Sequence, residues 1–254
     1  MIWNCSKIGT LFFYYFAVQS FNEITFKVIA CIKSDFPDKF GIPRQSGLLK
    51  TLKSTVVFEP EFRNADALRG LEGFSHLWLM WIFSENVRDT WKPTVRPPRL
   101  GGNTRLGVFA TRSSFRPNPL AMSCVKIESV NLVGEGAPSI TVSGADLMDG
   151  TPIVDIKPYL PYADSIPEAT GGFAEAVRFN KLEVGFAAEA GAAFDAEFPA
   201  DKKAALVELL SEDPRPAYQR SADRIYGIRF AGFEIKFQVQ GDHLTVVAIL
   251  PLQA

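Results

Sequence analysis

This chain of 254 residues has only three cysteines, Cys5, Cys31 and Cys124, and no CxxC pair. Three thiols cannot all pair within one chain, so a disulfide framework is not expected; reduced thiols in a cytoplasmic protein are. Histidine is scarcer still. His76 and His243 lie far apart and share no metal-ligand spacing with the cysteines, so no metal site is expected. The formal net charge is −1, which gives no whole-protein sign of nucleic acid or of a membrane surface. The apolar run "GTLFFYYFAVQS" after Lys7 is too short to span a bilayer as a helix. Residues 1–22 read as an extension ahead of the domain. A signal peptide with Val18 and Ser20 beside the cleavage site is the weaker alternative, because nothing later looks secreted. Nucleotide-binding fingerprints are missing too. No GxxxxGK[ST] is present, and "GEG" at Gly134–Gly136 has no helical pattern after it.

One further absence is local. Between Asp89 and Glu128 there is no acidic residue, while Lys92, Arg96, Arg99, Arg105, Arg112, Arg116 and Lys126 fall inside the interval. Such a block suits a polyanion such as RNA; unrelated surface cations paired to acids elsewhere are the alternative. Five of the seven are arginines, whose planar fork fits carboxylate and phosphate.

What the chain has in quantity is hydrophobic residues, at 47%, enough to build a core. The length fits one large domain or two small ones. "EITFKVIACIK" (Glu23 to Lys33) alternates Ile24, Phe26, Val28 and Ala30, as a strand does. "NADALRGLEGF" predicts a short helix capped by Asn64, and "SHLWLMWIF" (Ser75 to Phe83) a buried strand. "STVVFEP", "RLGVFATRS", "LAMSCVKIESVNLV", "SITVSGADL" and "TPIVDIKPYL" are further short strand candidates bounded by turn residues. Strands in this density predict a barrel or sandwich, and the lack of strand–helix alternation disfavours a doubly wound sheet. "PYADSIPEATGG" reads as a linker. Beyond it, "DKKAALVELLSED" predicts an amphipathic helix capped by Asp201, with Ala205, Leu206, Leu209 and Leu210 on one side. The segment from Tyr226 to Leu250 predicts two strands around a Gly241-Asp242 turn. The expected organisation is an extension (1–22), a β-barrel domain (23–165) and a small α+β domain (166–254). The fold class is mainly β, α+β overall.

Three clusters concentrate polar chemistry. "RSSFRPNPLAMS" places Arg112 and Arg116 in a proline-stiffened loop. "DLMDGTPIVDIKPYLPYADS" combines the Asp149-Gly150-Thr151-Pro152 turn, whose amides and carbonyls are placed to face a ligand, with Asp155, Lys157 and Tyr159; a proline-braced structural loop is the alternative. "SEDPRPAYQR" offers Arg215 to a phosphate and Tyr218 to a base, unless the segment simply caps the helix before it.

The motifs "FGIPRQSGLLK", "LRGLEGFSHLWLMW", "WKPTVRPPRLGGNTRLGVFATRSSFRPNPLAMS", "DLMDGTPIVDIKPYLPYADS" and "DPRPAY" resemble the TsaA-like (YaeB) family. Its bacterial members are the TrmO-type tRNA threonylcarbamoyladenosine methyltransferases. The resemblance runs in order from about Ile24 to the C-terminus. It implies a compact antiparallel β-barrel that binds S-adenosylmethionine without a Rossmann fold, a homodimer, and a C-terminal domain that helps hold tRNA. It implies methyl transfer to the exocyclic nitrogen of threonylcarbamoyladenosine next to the anticodon. The cofactor contacts it implies fall on Pro43, Arg44, Gln45, Ser84, Glu85, Arg112, Met122, Asp149, Gly150, Thr151 and Pro152. Ser84-Glu85 departs from the His-Gln frequent among relatives, and "LAMS" stands for the more usual "IGMS". Under this resemblance Asp155 is the candidate general base. Arg116, Lys157, Tyr159, Arg215 and Tyr218 are the candidate substrate contacts, with Arg116 favoured for the threonyl carboxylate. Methylation of another acceptor and non-catalytic RNA binding are the alternatives.

Overall fold

A computed structural model of the chain describes residues 24–97, 100, 103–175, 181–215, 221 and 223–252. The expected extension at 1–22, Arg99 and Tyr218 lie outside the described residues.

Six strands close into a barrel in the order β1-β2-β7-β6-β3-β8, with every neighbouring pair antiparallel. They are β1 (Ala30–Lys33), β2 (Lys53–Phe58), β3 (His76–Ile82), β6 (Leu120–Asn131), β7 (Ser139–Ser143) and β8 (Pro152–Pro158). The β4 (Thr94–Val95) and β5 (Leu106–Gly107) strands form a separate small hairpin between β3 and β6. Alternation explains the barrel. Leu77, Leu79 and Trp81 of β3 point inward with Ile32, Val56, Val125, Ile140, Val142 and Ile153, while His76, Trp78, Met80 and Ile82 remain partly exposed on the outer face. The apolar run Ser75–Phe83 is therefore a strand buried on one face only.

The second unit is a four-stranded sheet, β10-β11-β12-β9, formed by β9 (Glu183–Phe186), β10 (Tyr226–Phe230), β11 (Phe233–Gln240) and β12 (His243–Pro251). The β9 strand runs parallel to β12. Helices α2 (Ala188–Ala196) and α3 (Lys203–Ser211) cover it, following a single turn α1 (Pro161–Asp164). The predicted side of α3, Ala205, Leu206, Leu209 and Leu210, is the buried one. This second core also takes in Phe36, Leu49 and Leu52, so the stretch after β1 leaves the barrel and packs on the C-terminal sheet. Polar ties hold it there. Asp35 Oδ2 pairs with Lys202 Nζ at 2.6 Å. The Glu208 carboxylate accepts from Lys50 N, Thr51 N and Thr51 Oγ1. Burial pushes the Glu208 carboxyl up, but these hydrogen bonds outweigh it and leave the group below the usual glutamate range.

Several local expectations need correction. The first strand is Ala30–Lys33 and not Glu23–Lys33; Ile24, Phe26 and Val28 are exposed at 67%, 57% and 39%. The helix expected after Asn64 is two 3-10 turns, Ala65–Leu68 and Leu71–Gly73, divided by Gly70 at φ 90°. The Asn64 side chain does cap the first, accepting from Asp66 N at 2.9 Å. "RLGVFATRS" yields only β5 and a 3-10 turn at Val108–Ala110. Asp201 does not cap α3, which is entered through a 3-10 turn at Ala200–Lys202 with no side-chain cap. The C-terminal segment makes three strands, because Ala231 at φ 51° and Gly232 at φ 83° form an extra tight turn.

Candidate active site

The segment at 43–46, the loop at 111–119 and the start of the segment at 144–152 converge at one end of the barrel. Two glycines allow the closest approach. Gly47 N donates to Gly144 O at 2.8 Å, and a Cβ on Gly144 would sit 3.2 Å from Gly47 Cα. Gly144 also has φ +81°, so a side chain there is strained on both counts. Across this junction Arg112 Nη1 donates to Gln45 Oε1 at 2.6 Å. Gln45 Nε2 donates to Arg44 O at 2.5 Å, which leaves the Gln45 amide no freedom to flip.

Beneath Arg112 lies a relay that the sequence reading missed. Trp81 Nε1 donates to Ser123 Oγ at 2.9 Å, and Ser123 Oγ donates to Asp146 Oδ1 at 2.5 Å. Ser123 is fully buried and Trp81 is 7% exposed. Burial pushes the Asp146 carboxyl up, opposed by the Ser123 hydroxyl, by backbone amides at Asp146 and Ser46, and by the Arg112 charge. The relay thus joins three expected cofactor segments through Ser46, Ser123 and Asp146. Its signal was present in "LAMS" and "GADL", but pairing a serine with an aspartate 23 residues on requires the β6–β7 fold-back.

The loop at 111–119 is braced from within. Arg116 Nη1 donates to Thr111 O at 3.0 Å and Ser113 O at 3.4 Å. Thr111 Oγ1 and Ser113 Oγ accept from the amides of Ser113 and Phe115. Arg116, expected on a substrate carboxylate, therefore commits part of its fork to its own loop, while Arg112 is the more exposed of the two.

The outer face of the barrel gathers other expected residues. Met122 on β6 opposes Met80 on β3, and Met80 opposes Asp155 on β8, which puts the three in one row across the sheet. Met122 is 49% exposed. At two strand spacings, Met122 and Asp155 lie about 10 Å apart. Asp155 Oδ2 pairs with Lys157 Nζ at 2.8 Å, both side chains remaining well exposed. Lys157 opposes Trp78, and the Tyr159 ring packs against Trp78 and His76 with centroids 5.9 and 6.3 Å away.

The remaining residues have other surroundings. The amides of Asp149, Gly150 and Thr151 donate to Phe36 O, Ile32 O and Met148 O, so they are not offered to a ligand as expected. Asp149 Oδ1 accepts from Ser34 N at 3.0 Å, and Thr151 is buried. Thr151 O also accepts from Ile32 N at 3.1 Å, so the turn leading into Pro152 locks β8 to β1 and the chain after it, and leaves only the carbonyls of Asp149 and Gly150 to face a ligand. Ser84 and Glu85 follow β3 on an exposed 3-10 turn. Glu85 joins Met148, Phe40 and Ile228 in a pocket of about 510 Å³ between barrel and C-terminal sheet. Pro43 is partly buried, and Arg44 Nη2 donates to Asp213 O and Arg215 O. Arg215 does not present a free fork to a phosphate. Its Nε and Nη2 hold the two oxygens of Asp213 at 2.7 and 2.9 Å, and its side chain is 10% exposed. Arg215 thus serves to pin the segment after α3.

The domain described as the tRNA-methyltransferase O N-terminal domain matches residues 31–165, and the TrmO C-terminal domain matches residues 180–252. The chain belongs to the TrmO family. A TrmO relative from Escherichia coli (strain K12), a tRNA (adenine(37)-N6)-methyltransferase, is 40% identical over 235 residues, covering 91% of this chain and 99% of its own. Another from Pseudomonas aeruginosa, a putative S-adenosylmethionine-dependent methyltransferase RcsF, is 42% identical over 215 residues, covering 82% and 89%. A crystal structure of TrmO from Pseudomonas aeruginosa superposes with a TM-score of 0.71 at 31% identity, covering 89% of this chain and 98% of that one. The TrmO barrel read from the motifs is thus the fold observed. Among the described residues no helix is long and apolar enough to cross a membrane, and no cluster of His, Cys, Asp or Glu has metal-site geometry.

Proposed function

We propose that the chain is a tRNA methyltransferase that transfers the methyl group of S-adenosylmethionine to the exocyclic nitrogen of threonylcarbamoyladenosine next to the anticodon. The observation that carries this reading is the junction of Gln45, Arg112 and Asp146 beside the exposed Met122, with Arg112 and Met122 inside the acid-free basic interval. Its donor chemistry fits the cofactor. Arg112 suits the carboxylate of the cofactor's amino-acid end, and Met122 offers apolar, polarisable surface to the rest. When bound, the cofactor supplies an already activated methyl group, so neither a metal nor a covalent enzyme adduct is required.

The protein's share is alignment, which needs rigid side chains. Gln45 orients Arg112, and the buried Trp81–Ser123–Asp146 relay fixes the strand that bears Met122. The acceptor is a urea-like nitrogen that must lose a proton, and Asp155 is the carboxylate on the same face as Met122 to receive it. Lys157, beside it, and the unused part of the Arg116 fork are the cations for the threonyl carboxylate. Tyr159 borders this face. Ser84 and Glu85 and the carbonyls of Asp149 and Gly150 complete the cofactor side, and Tyr218 the tRNA side. Arg44 and Arg215 act by holding Pro43–Gln45 against the C-terminal unit. The reading takes tRNA and a second copy of the chain as partners.

Calorimetric titration tests it. S-adenosylmethionine is expected to bind saturably, and Arg112→Ala to weaken it about tenfold, the low end for a hydrogen bond to a charged group. No heat of binding with the parent protein would remove the reading.

A further inference from the structure

The small hairpin of β4 and β5 carries aromatic rings into solvent. Trp91 and Phe109 are 50% and 73% exposed, with ring centroids 6.1 Å apart and planes 34° from each other. The pairing is built in: Thr94 opposes Gly107, and Val108 N donates to Pro93 O at 2.9 Å. Neither ring joins either core. Rings this exposed bury little surface for the fold beyond their contact with each other, and aromatic surface of this kind marks a recognition site. Lys92 adjoins Trp91, and Arg96 and Arg105 flank the other end of the β4–β5 pairing, where Arg105 Nη1 donates to Thr94 Oγ1 at 3.2 Å; all three are exposed. The interval has no acid of its own. Phe109 precedes Arg112 by three residues, which limits their Cα separation to about 11 Å. The platform is therefore within a nucleotide or two of the proposed methyl-transfer site.

We propose that Trp91 and Phe109 form a stacking platform for unpaired nucleotides of the anticodon loop, with Lys92, Arg96 and Arg105 on the neighbouring phosphates. The inference rests on the tRNA reading above and adds where and how the loop is gripped. Unstacked bases bind aromatic faces in single-stranded RNA, whereas a duplex hides them. A second copy of the chain is the poorer occupant, since a two-fold interface would bring this cationic patch against itself.

The test is fluorescence anisotropy with a labelled anticodon stem-loop and, in parallel, a blunt RNA duplex. The double variant Trp91→Ala/Phe109→Ala is expected to weaken stem-loop binding at least tenfold, at about 1–3 kcal/mol per stacked base. Its salt slope and its affinity for S-adenosylmethionine should match the parent's. Trp91→Phe/Phe109→Tyr should recover most of the loss. Arg105→Ala should instead lower the salt slope by about 0.7–0.9. Stem-loop affinity unchanged in the alanine pair would overturn the platform while leaving the tRNA reading intact. Conversion of a dimer to a monomer by that pair would assign the rings to a subunit interface and overturn it as well. A parent protein that binds neither RNA would overturn both.

Discussion

Arg215→Ala should lower the stability of this protein by about 2–3 kcal/mol, a loss characteristic of paired hydrogen bonds to a charged partner. Arg215 grips both oxygens of Asp213, and the two side chains are 10% and 9% exposed. The Asp213 hydrogen bond raises the Arg215 guanidinium further above its ordinary range. Asp213 also has φ 52°, a conformation that non-glycine residues hold only when their surroundings fix it. The loss should spread. Arg44 donates to the carbonyls of Asp213 and Arg215, so loosening this turn frees the segment bearing Gln45. The variant should therefore bind S-adenosylmethionine more weakly as well, without touching it. Arg215→Lys keeps the charge but not the fork, and should recover only part of the stability. Urea unfolding checks this; a midpoint within error of the parent's would mean the pair is not holding the turn.

A comparable effect is expected at Asp146. Asp146→Ala removes the acceptor for the buried Ser123 hydroxyl, which leaves that O–H without a partner at a fully buried position. The expected cost is about 2–3 kcal/mol, with reduced cofactor affinity because the Ser46 and Arg112 segments lose their common anchor. Asp146→Asn, which can still accept from Ser123, should cost much less. The two variants also differ from the parent in pH dependence. The Asp146 carboxyl lies above its ordinary value when folded, mainly through burial, so the folded state takes up its proton first. Its contribution to stability is thus fully present below the ordinary aspartate pKa and lost as pH rises through the raised folded value. The stability difference between parent and Asp146→Asn should shift in the parent's favour on acidification through that window. A difference that stays flat from neutral pH to below the ordinary aspartate range would contradict this account.

What the sequence made legible and what it hid follow from range. The barrel strands at 53–58, 120–131, 139–143 and 152–158 were readable because alternation and turn residues are local. The face of α3 was readable for the same reason. The turn at Ala231-Gly232 was not, since alanine rarely takes positive φ and gives no warning. Phe36, Leu49 and Leu52 looked like barrel-domain residues, yet their partners lie more than a hundred residues away in the C-terminal sheet. At the site, Arg112 was legible as an arginine in a stiff loop beside the family's motif. Arg215 looked equally available, but the sequence could not show that Asp213, two residues earlier, folds back onto it. Asp146 was overlooked because nothing in "GADL" suggests burial beside a serine from another strand.

The central claim is the acceptor. The most direct measurement is mass spectrometry of tRNA nucleosides after incubation with the protein and S-adenosylmethionine, comparing tRNA that carries threonylcarbamoyladenosine with tRNA that lacks it. The account predicts one added methyl group on threonylcarbamoyladenosine and none on unmodified adenosine. An unchanged nucleoside profile, or a methyl group on any other nucleoside, would contradict it.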